Sequence, residues 1–261
     1  MYPERNRKNK TALITGAASG IGFAFADNLA KQGYDLLIVD IQEDKINDAA
    51  QQLRNNYQVE VKCLSLDLSK IDAPETIYTF CKDNNIEIHI LISNAGRFIF
   101  NPITDIEPDT YNSFLQLHIN TPAKLCKLFG NDMKLRREGY ILTVSSLSAW
   151  MPYPYISLYA STKMFLRTFS KAIHFEFSQH NIGVTTICPG AVDTGLYDLK
   201  PKLRKIARRC GIMISPDKLA KKSLKKMFRK RITYIPGIFN KIGLVLILIV
   251  PVRWLVFFYR T

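Results

Sequence analysis

Thr11-Ala12-Leu13-Ile14-Thr15 runs directly into Gly16-Ala17-Ala18-Ser19-Gly20-Ile21-Gly22. The first five residues read as a strand, and 20–32 reads as the helix that follows. Glycines at 16, 20 and 22 let the backbone turn sharply and come close to a ligand. The helix end that the turn opens offers free N–H groups and a partial positive charge, which suits a pyrophosphate. A second strand, 36–40, ends on Asp40, 20 residues after Gly20. A carboxylate there accepts both hydrogen bonds of an adenosine ribose diol and repels a 2′-phosphate. Strand, glycine turn, helix and acid together predict a dinucleotide site that prefers NAD to NADP.

Working outward, strand-like and helix-like stretches alternate. Helices are expected at 44–55, 74–83, 109–135 and 155–177, and strands at 59–64, 86–92, 139–145 and 183–188, the last stopped by Pro189-Gly190. Repeated β-α-β with short links argues for an α/β fold, a doubly wound parallel sheet of Rossmann type. The 261 residues fit one such domain over 1–237, with an apolar C-terminal extension over 238–261.

Composition excludes several classes. Five cysteines (63, 81, 126, 188 and 210) form no CxxC pair, and four histidines (89, 118, 174 and 180) form no HExxH, so no metal motif is present. His118 is read as a packed or surface histidine. No apolar run of signal-peptide kind follows the basic N-terminus, so a secretory signal is not expected. The net charge of +14 is unevenly spread: residues 1–199 carry 19 Lys/Arg against 21 Asp/Glu, and residues 200–261 carry 17 against the single acid Asp217. The body is nearly neutral and the tail is a cation.

Further motifs appear in order. Asp67-Leu68 follows the third strand and Asn94-Ala95-Gly96 the fourth. Asn120 lies in the long helix and Ser146 just past the fifth strand. Then come Tyr159-Ala160-Ser161-Thr162-Lys163, Pro189-Gly190 and Thr194. With the turn from Thr15 to Gly22, this set resembles the short-chain dehydrogenases/reductases of the compact, single-domain kind, over residues 11 to about 195. Ser93 departs from the second asparagine that the family often has there. The resemblance implies a nicotinamide cofactor held by Thr15, Gly16, Ser19, Gly20, Ile21, Gly22 and Asp40. It also implies that Asp67, Leu68, Asn94, Ala95 and Gly96 line the adenosine side, and that Pro189, Gly190, Val192 and Thr194 contact the nicotinamide carboxamide and phosphate. Neither Ser19 nor Ile41 is the basic residue that would bind a 2′-phosphate, which again favours NAD.

Tyr159 and Lys163 stand at i, i+4 and share one helical face. A tyrosine with a pKa of about 10 is a poor acid or base at neutral pH. A lysine ammonium close by stabilises the phenolate. The resemblance then implies that Tyr159 is the proton donor/acceptor and that Lys163 lowers its pKa and binds the nicotinamide ribose. Ser146, chosen over Ser145 and Ser148 by the family's spacing to Tyr159, polarises the carbonyl. The resemblance also implies that Asn120 holds a water in the proton relay beside Lys163. Two functions follow: an NAD-dependent oxidoreductase interconverting a secondary alcohol and a ketone, or a non-enzymatic NAD-binding regulator or membrane-surface adaptor. The complete catalytic set argues for the first. The resemblance also implies a homodimer or homotetramer built on the long helices.

Trp150-Met151-Pro152-Tyr153-Pro154-Tyr155, with Phe98, Ile99 and Phe100, forms bulky apolar walls that favour an apolar alcohol or ketone over a sugar. The substrate-covering segment is expected at about 195–231. In 218–231, Ala220, Leu224, Met227 and Phe228 fall on one helical face among lysines and arginines. Three readings of this tail compete: a membrane-surface module, a solvated helix over the substrate site and a nucleic-acid contact. A basic stretch beside an apolar one fits a membrane face best, and no nucleic-acid motif accompanies the charge. The uncharged run 242–252 has 11 residues, about 16 Å as helix against a hydrocarbon core of about 30 Å. The tail is therefore expected to lie on a membrane, at its cytoplasmic face, with Arg253 snorkelling and Trp254, Phe257, Phe258 and Tyr259 at the interface.

Overall fold

The computed structural model describes residues 10–151, 153–194 and 213–249. Residues 1–9, Pro152, most of the expected covering segment (195–212) and the expected interfacial residues after Ile249 lie outside the described residues. The strands are β1 (Thr11–Thr15), β2 (Asp35–Asp40), β3 (Val61–Ser65), β4 (Ile88–Ser93), β5 (Gly139–Val144), β6 (Ile182–Ile187), β7 (Ala191–Val192), β8 (Met213–Ile214) and β9 (Thr233–Tyr234). Seven of them form one sheet in the order β3-β2-β1-β4-β5-β6-β9, and β7 and β8 pair separately. Every pairing is parallel. The order reverses direction beside β1, so the crevice at the carboxyl ends of β1 and β4 is where a doubly wound sheet takes its ligand.

Helices cover both faces: α1 (Gly20–Ala30), α2 (Glu43–Tyr57), α3 (Ala73–Asp83), α4 (Pro108–Leu115), α5 (Thr121–Arg136), α6 (Ser157–Ser178), α7 (Pro216–Phe228) and α8 (Ile238–Ile249). Because successive strand residues point to opposite faces, the central strands are apolar on both sides. Ile14, Ile38 and Ile92 join Phe25 and Leu29 of α1, Ile46 and Leu53 of α2 and Leu224 and Met227 of α7 in one layer. Leu13, Leu37 and Leu91 join Ile77 of α3, Phe129 and Met133 of α5 and Ile173 of α6 in the other. Full burial of each large side chain contributes about 1.5–3 kcal/mol before the entropy of ordering is subtracted.

Two local departures from the sequence reading have clear causes. The helix expected over 109–135 is interrupted by a π-helical turn at Gln116–Asn120. Pro122 has no N–H and its ring would strike the carbonyl four residues back, so the backbone widens, and Thr121 N–H donates to Gln116 O instead. The helix expected from 155 starts at Ser157, because Tyr155 takes a left-handed φ of 63°.

The apolar face of α7 is buried against α1 and the sheet through Leu219, Ala220, Leu224 and Met227. This face is therefore spent on the protein's own core, and only the lysine face of α7 remains outward. Among the described residues, no helix is long and apolar enough to cross a membrane.

Candidate active site

The glycine turn is held from three sides. Gly16 has φ 65° and Gly20 φ 58°, both in the left-handed region. At Gly22 there is no room for a side chain: a Cβ would stand 1.9 Å from Gly16 O. Thr15 Oγ1 accepts the N–H groups of Asn94 (3.0 Å) and Ala95 (3.1 Å), while Asn94 Nδ2 donates to Thr15 O and Gly16 O, each at 3.0 Å. The side chain of Asn94 thus braces the turn from beneath. From the other side, the buried carboxylate of Asp40 accepts the N–H of Ala18 (3.0 Å) and of Gln42 (3.1 Å). It shapes the turn itself.

The end of α1 fits an anionic nucleotide. Its first turn carries no acidic residue, and Ser19 makes no capping hydrogen bond to it, so its N–H groups stay available for a phosphate. Thr194 closes over this end, with its Cγ2 3.3 Å from where a Cβ on Gly20 would lie. Asp67 stands at the end of the β3 loop, where its Oδ1 accepts the N–H (2.9 Å) and the hydroxyl (2.7 Å) of Ser69. Burial alone would raise its pKa, but these two bonds with Lys70 and Arg97 hold it below the ordinary carboxylate value. Leu68 accepts from Thr121 through its carbonyl at 2.8 Å.

On α6, Lys163 is 5% exposed and donates from Nζ to Val144 O at 3.0 Å. Removal from water lowers its pKa to about 8. Nζ lies 5.6 Å from the centroid of the half-buried Tyr159 ring, so the two side chains do share one face of the helix. Of the three serines weighed from sequence, Ser145 is buried and donates to Lys163 O at 2.7 Å. Ser148 Oγ is buried with no partner among the described residues. Ser146 is half-buried and its Oγ accepts the N–H of Ser148 at 3.1 Å, which leaves its hydroxyl proton to donate.

Asn120 is exposed at the end of the π turn, and its amide donates to Gln116 Oε1 at 2.9 Å. The side chain that this segment brings to the centre is His118, two residues earlier, 1% exposed and 6.1 Å from the Tyr159 ring, centroid to centroid. Sequence reasoning allowed it to be packed and missed its neighbours. A signal existed: Phe114, His118, Thr121, Leu125 and Phe129 follow helical spacing, and His118 is the only ring with an acceptor on that stripe.

An aromatic wall flanks Tyr159. Phe98 packs edge-on against it at 5.0 Å, Phe100 stacks on Phe98 at 6.4 Å, and Tyr155 lies 5.2 Å from Phe100. Behind it, the Arg167 guanidinium sits 4.3 Å from the Trp150 ring. Gly190 faces α8, where Asn240 Oδ1 comes within 2.5 Å of where a Cβ on Gly190 would be.

A parallel doubly wound sheet, a phosphate-ready glycine turn and a Tyr–Lys pair on one helix beside the switch point define a nucleotide-binding fold. The comparisons agree. A family model described as short chain dehydrogenase matches residues 10–203, and the chain belongs to that family. It is 31% identical to the very-long-chain 3-oxoacyl-CoA reductase-A of Danio rerio over 202 residues, covering 75% of this chain and 62% of that protein. It is likewise 31% identical to the 17-beta-hydroxysteroid dehydrogenase type 3 of Danio rerio, covering 72% of this chain and 62% of that protein. The chain thus spans less than two thirds of the length of these relatives. Among solved structures, a short-chain dehydrogenase from Sphingobium yanoikuyae in complex with NADPH superposes with TM-score 0.78 at 25% identity, covering 87% of each chain.

Proposed function

We propose that this chain is an NAD-dependent oxidoreductase that interconverts a secondary alcohol and a ketone on an apolar substrate. The observation that carries the reading is the placement of a buried lysine, Lys163, on the same helical face as Tyr159 and beside its ring. Bound in the crevice, the nicotinamide supplies or accepts the hydride. Tyr159 Oη gives a proton to the carbonyl oxygen on reduction and takes it back on oxidation. Lys163 favours the phenolate and holds the cofactor ribose, and Ser146 donates to the substrate oxygen. To Asn120, at the end of the π turn that also bears His118, we assign the water of the proton relay. Asp40 supports NAD, since a carboxylate at the end of β2 would repel a 2′-phosphate.

Several features support an apolar substrate. The rings of Phe98, Phe100 and Tyr155 offer no charged partner beside Tyr159. Relatives named for very-long-chain 3-oxoacyl-CoA and for hydroxysteroids point the same way. A panel of 3-oxoacyl thioesters, sterol ketones and sugars, each with NADH and with NADPH, tests this by nicotinamide absorbance. Turnover of an apolar ketone with NADH is expected. Activity confined to sugars, or to NADPH, contradicts the reading.

We also propose peripheral attachment to the cytoplasmic face of a membrane. Ile238, Phe239, Ile242, Val245, Leu246 and Ile249 are all exposed and recur along α8 at helical spacing. Twelve residues of helix extend about 18 Å, too short to span but enough to lie in an interface. The lysines of α7 add attraction to anionic lipid, which salt weakens. Vesicles of anionic lipid should pellet the full chain at low salt far better than a chain ending at Asn240. Equal pelleting of the two refutes it. A homodimer or homotetramer is expected through α5 and α6, where Leu135, Met164 and Phe175 are exposed. Sedimentation showing only monomer in mild detergent contradicts this.

A further inference from the structure

We propose that His118 is a positioning residue that ties the loop after β4 to α6 and so sets the attitude of the Tyr159 ring. The inference rests on the role given to Tyr159 above. His118 Nε2 accepts the backbone N–H of Arg97 at 3.0 Å. An imidazole that accepts at Nε2 carries its proton on Nδ1. Nδ1 faces Thr162 Oγ1 at 3.4 Å, and that hydroxyl donates in turn to Tyr159 O at 2.8 Å. One neutral ring therefore spans from the loop behind Gly96 to the helix that bears Tyr159 and Lys163. Burial, with Lys163 and Arg97 nearby, holds His118 well below its ordinary pKa, so the acceptor survives at working pH.

The clamp is built, not incidental. The His118 ring stacks on Phe114 with centroids 4.0 Å apart and planes 14° apart. The Arg97 guanidinium lies 5.7 Å from the same Phe114 ring and donates to Thr110 O (3.0 Å) and Ser113 Oγ (2.7 Å). Both the backbone and the side chain of Arg97 are thus pinned to the α4–π-turn segment. The next residue is Phe98, which packs edge-on against Tyr159 at 5.0 Å. The Tyr159 ring is gripped by two rings, Phe98 and His118, whose relative place depends on the His118–Arg97 bond. A hydrophobic residue at 118 would fill the stripe equally well but would leave the Arg97 N–H without its acceptor.

Two variants separate this role from packing. His118→Phe keeps the ring and its stack on Phe114 but removes both nitrogens, whereas His118→Gln restores an oxygen acceptor of similar reach. With NADH and the ketone that gives turnover in the panel above, kcat of His118→Phe is expected to fall about 10- to 100-fold, the scale of an ångström-sized misplacement of a reacting group. Kd for NADH, read by fluorescence, should change less than about twofold, and His118→Gln should recover most of kcat. Amide hydrogen exchange at Arg97 supplies a readout free of any substrate: protection lost in His118→Phe and kept in His118→Gln. If His118→Phe does not fold, Thr162→Val, which removes the hydroxyl facing Nδ1, should show the same loss of kcat without loss of NADH binding. Equal losses in both His118 variants, or a loss of NADH affinity with kcat preserved, overturn the proposal. If no ketone turns over in the wild type, the reading of Tyr159 fails, and the exchange result alone decides the clamp; unchanged Arg97 protection in all variants overturns it.

Discussion

Replacing Lys163 with Met should abolish turnover and yet make the nucleotide-free fold more stable at neutral pH. Lys163 is 5% exposed, and burial lowers its pKa from 10.5 to about 8. The folded state thus disfavours the ammonium that the unfolded chain holds freely. Above about pH 10.5 neither state is protonated and the penalty vanishes; it grows as pH falls and is complete below about pH 8. Between about pH 10.5 and pH 8 it grows by about 1.36 kcal/mol for each pH unit, to a ceiling of about 3 kcal/mol at pH 7. At pH 9.5 the same linkage leaves about 1–1.5 kcal/mol. Methionine also removes the hydrogen bond to Val144 O, a loss of about 1 kcal/mol that does not vary with pH. The pH-dependent part is isolated by urea unfolding of the full chain, without nucleotide, at pH 7 and pH 9.5. The stability of Lys163→Met minus wild type should be about 2 kcal/mol more favourable at pH 7. Parallel behaviour of the two proteins across this range refutes the claim that Lys163 is held desolvated.

Asp40→Ala should weaken NAD preference and also lower Tm, because Ala18 and Gln42 lose the acceptor of their N–H groups, at about 0.5–1.5 kcal/mol for each hydrogen bond. Thermal unfolding and kcat/KM with both cofactors check it, and an undiminished NAD preference contradicts it. Gly22→Ala should cost about tenfold or more in NADH affinity, since its Cβ collides with Gly16 O and the turn must shift. Fluorescence titration reads the affinity, with circular dichroism to verify the fold; unchanged affinity would mean that the turn has slack.

Much of the fold was legible because its signals are local. The run from Thr15 to Gly22 needs φ values that glycine alone adopts easily, and β1 needs an unbroken apolar stretch, so both show in one window. The Tyr159–Lys163 pair was legible for the same reason, as i, i+4 on one helix. What the sequence could not display is where a side chain spends its polar atoms. Asp40 was read as a ribose acceptor, and its two bonds to Ala18 and Gln42 depend on how the turn folds back. Asn94 braces the turn across a separation of 78 residues. The π turn arises where Pro122 meets a helix that tertiary packing forces to continue. The helical stripe from Phe114 to Phe129 could have placed His118 inward, but the π turn itself, with Asn120 left exposed at its end, shows in no regular period. The apolar face of α7 could equally have met lipid or core from sequence alone, and only its packing on α1 decides.

The central claim is that Tyr159 moves the proton while the nicotinamide moves the hydride. The most direct test follows NADH consumed against alcohol formed, for the wild type and Tyr159→Phe, on the apolar ketone that the panel identifies. The wild type should consume one NADH for each alcohol formed. Tyr159→Phe should bind NADH as tightly but turn over about 10²–10⁴-fold more slowly. A Tyr159→Phe enzyme that keeps near-wild-type kcat would contradict the account.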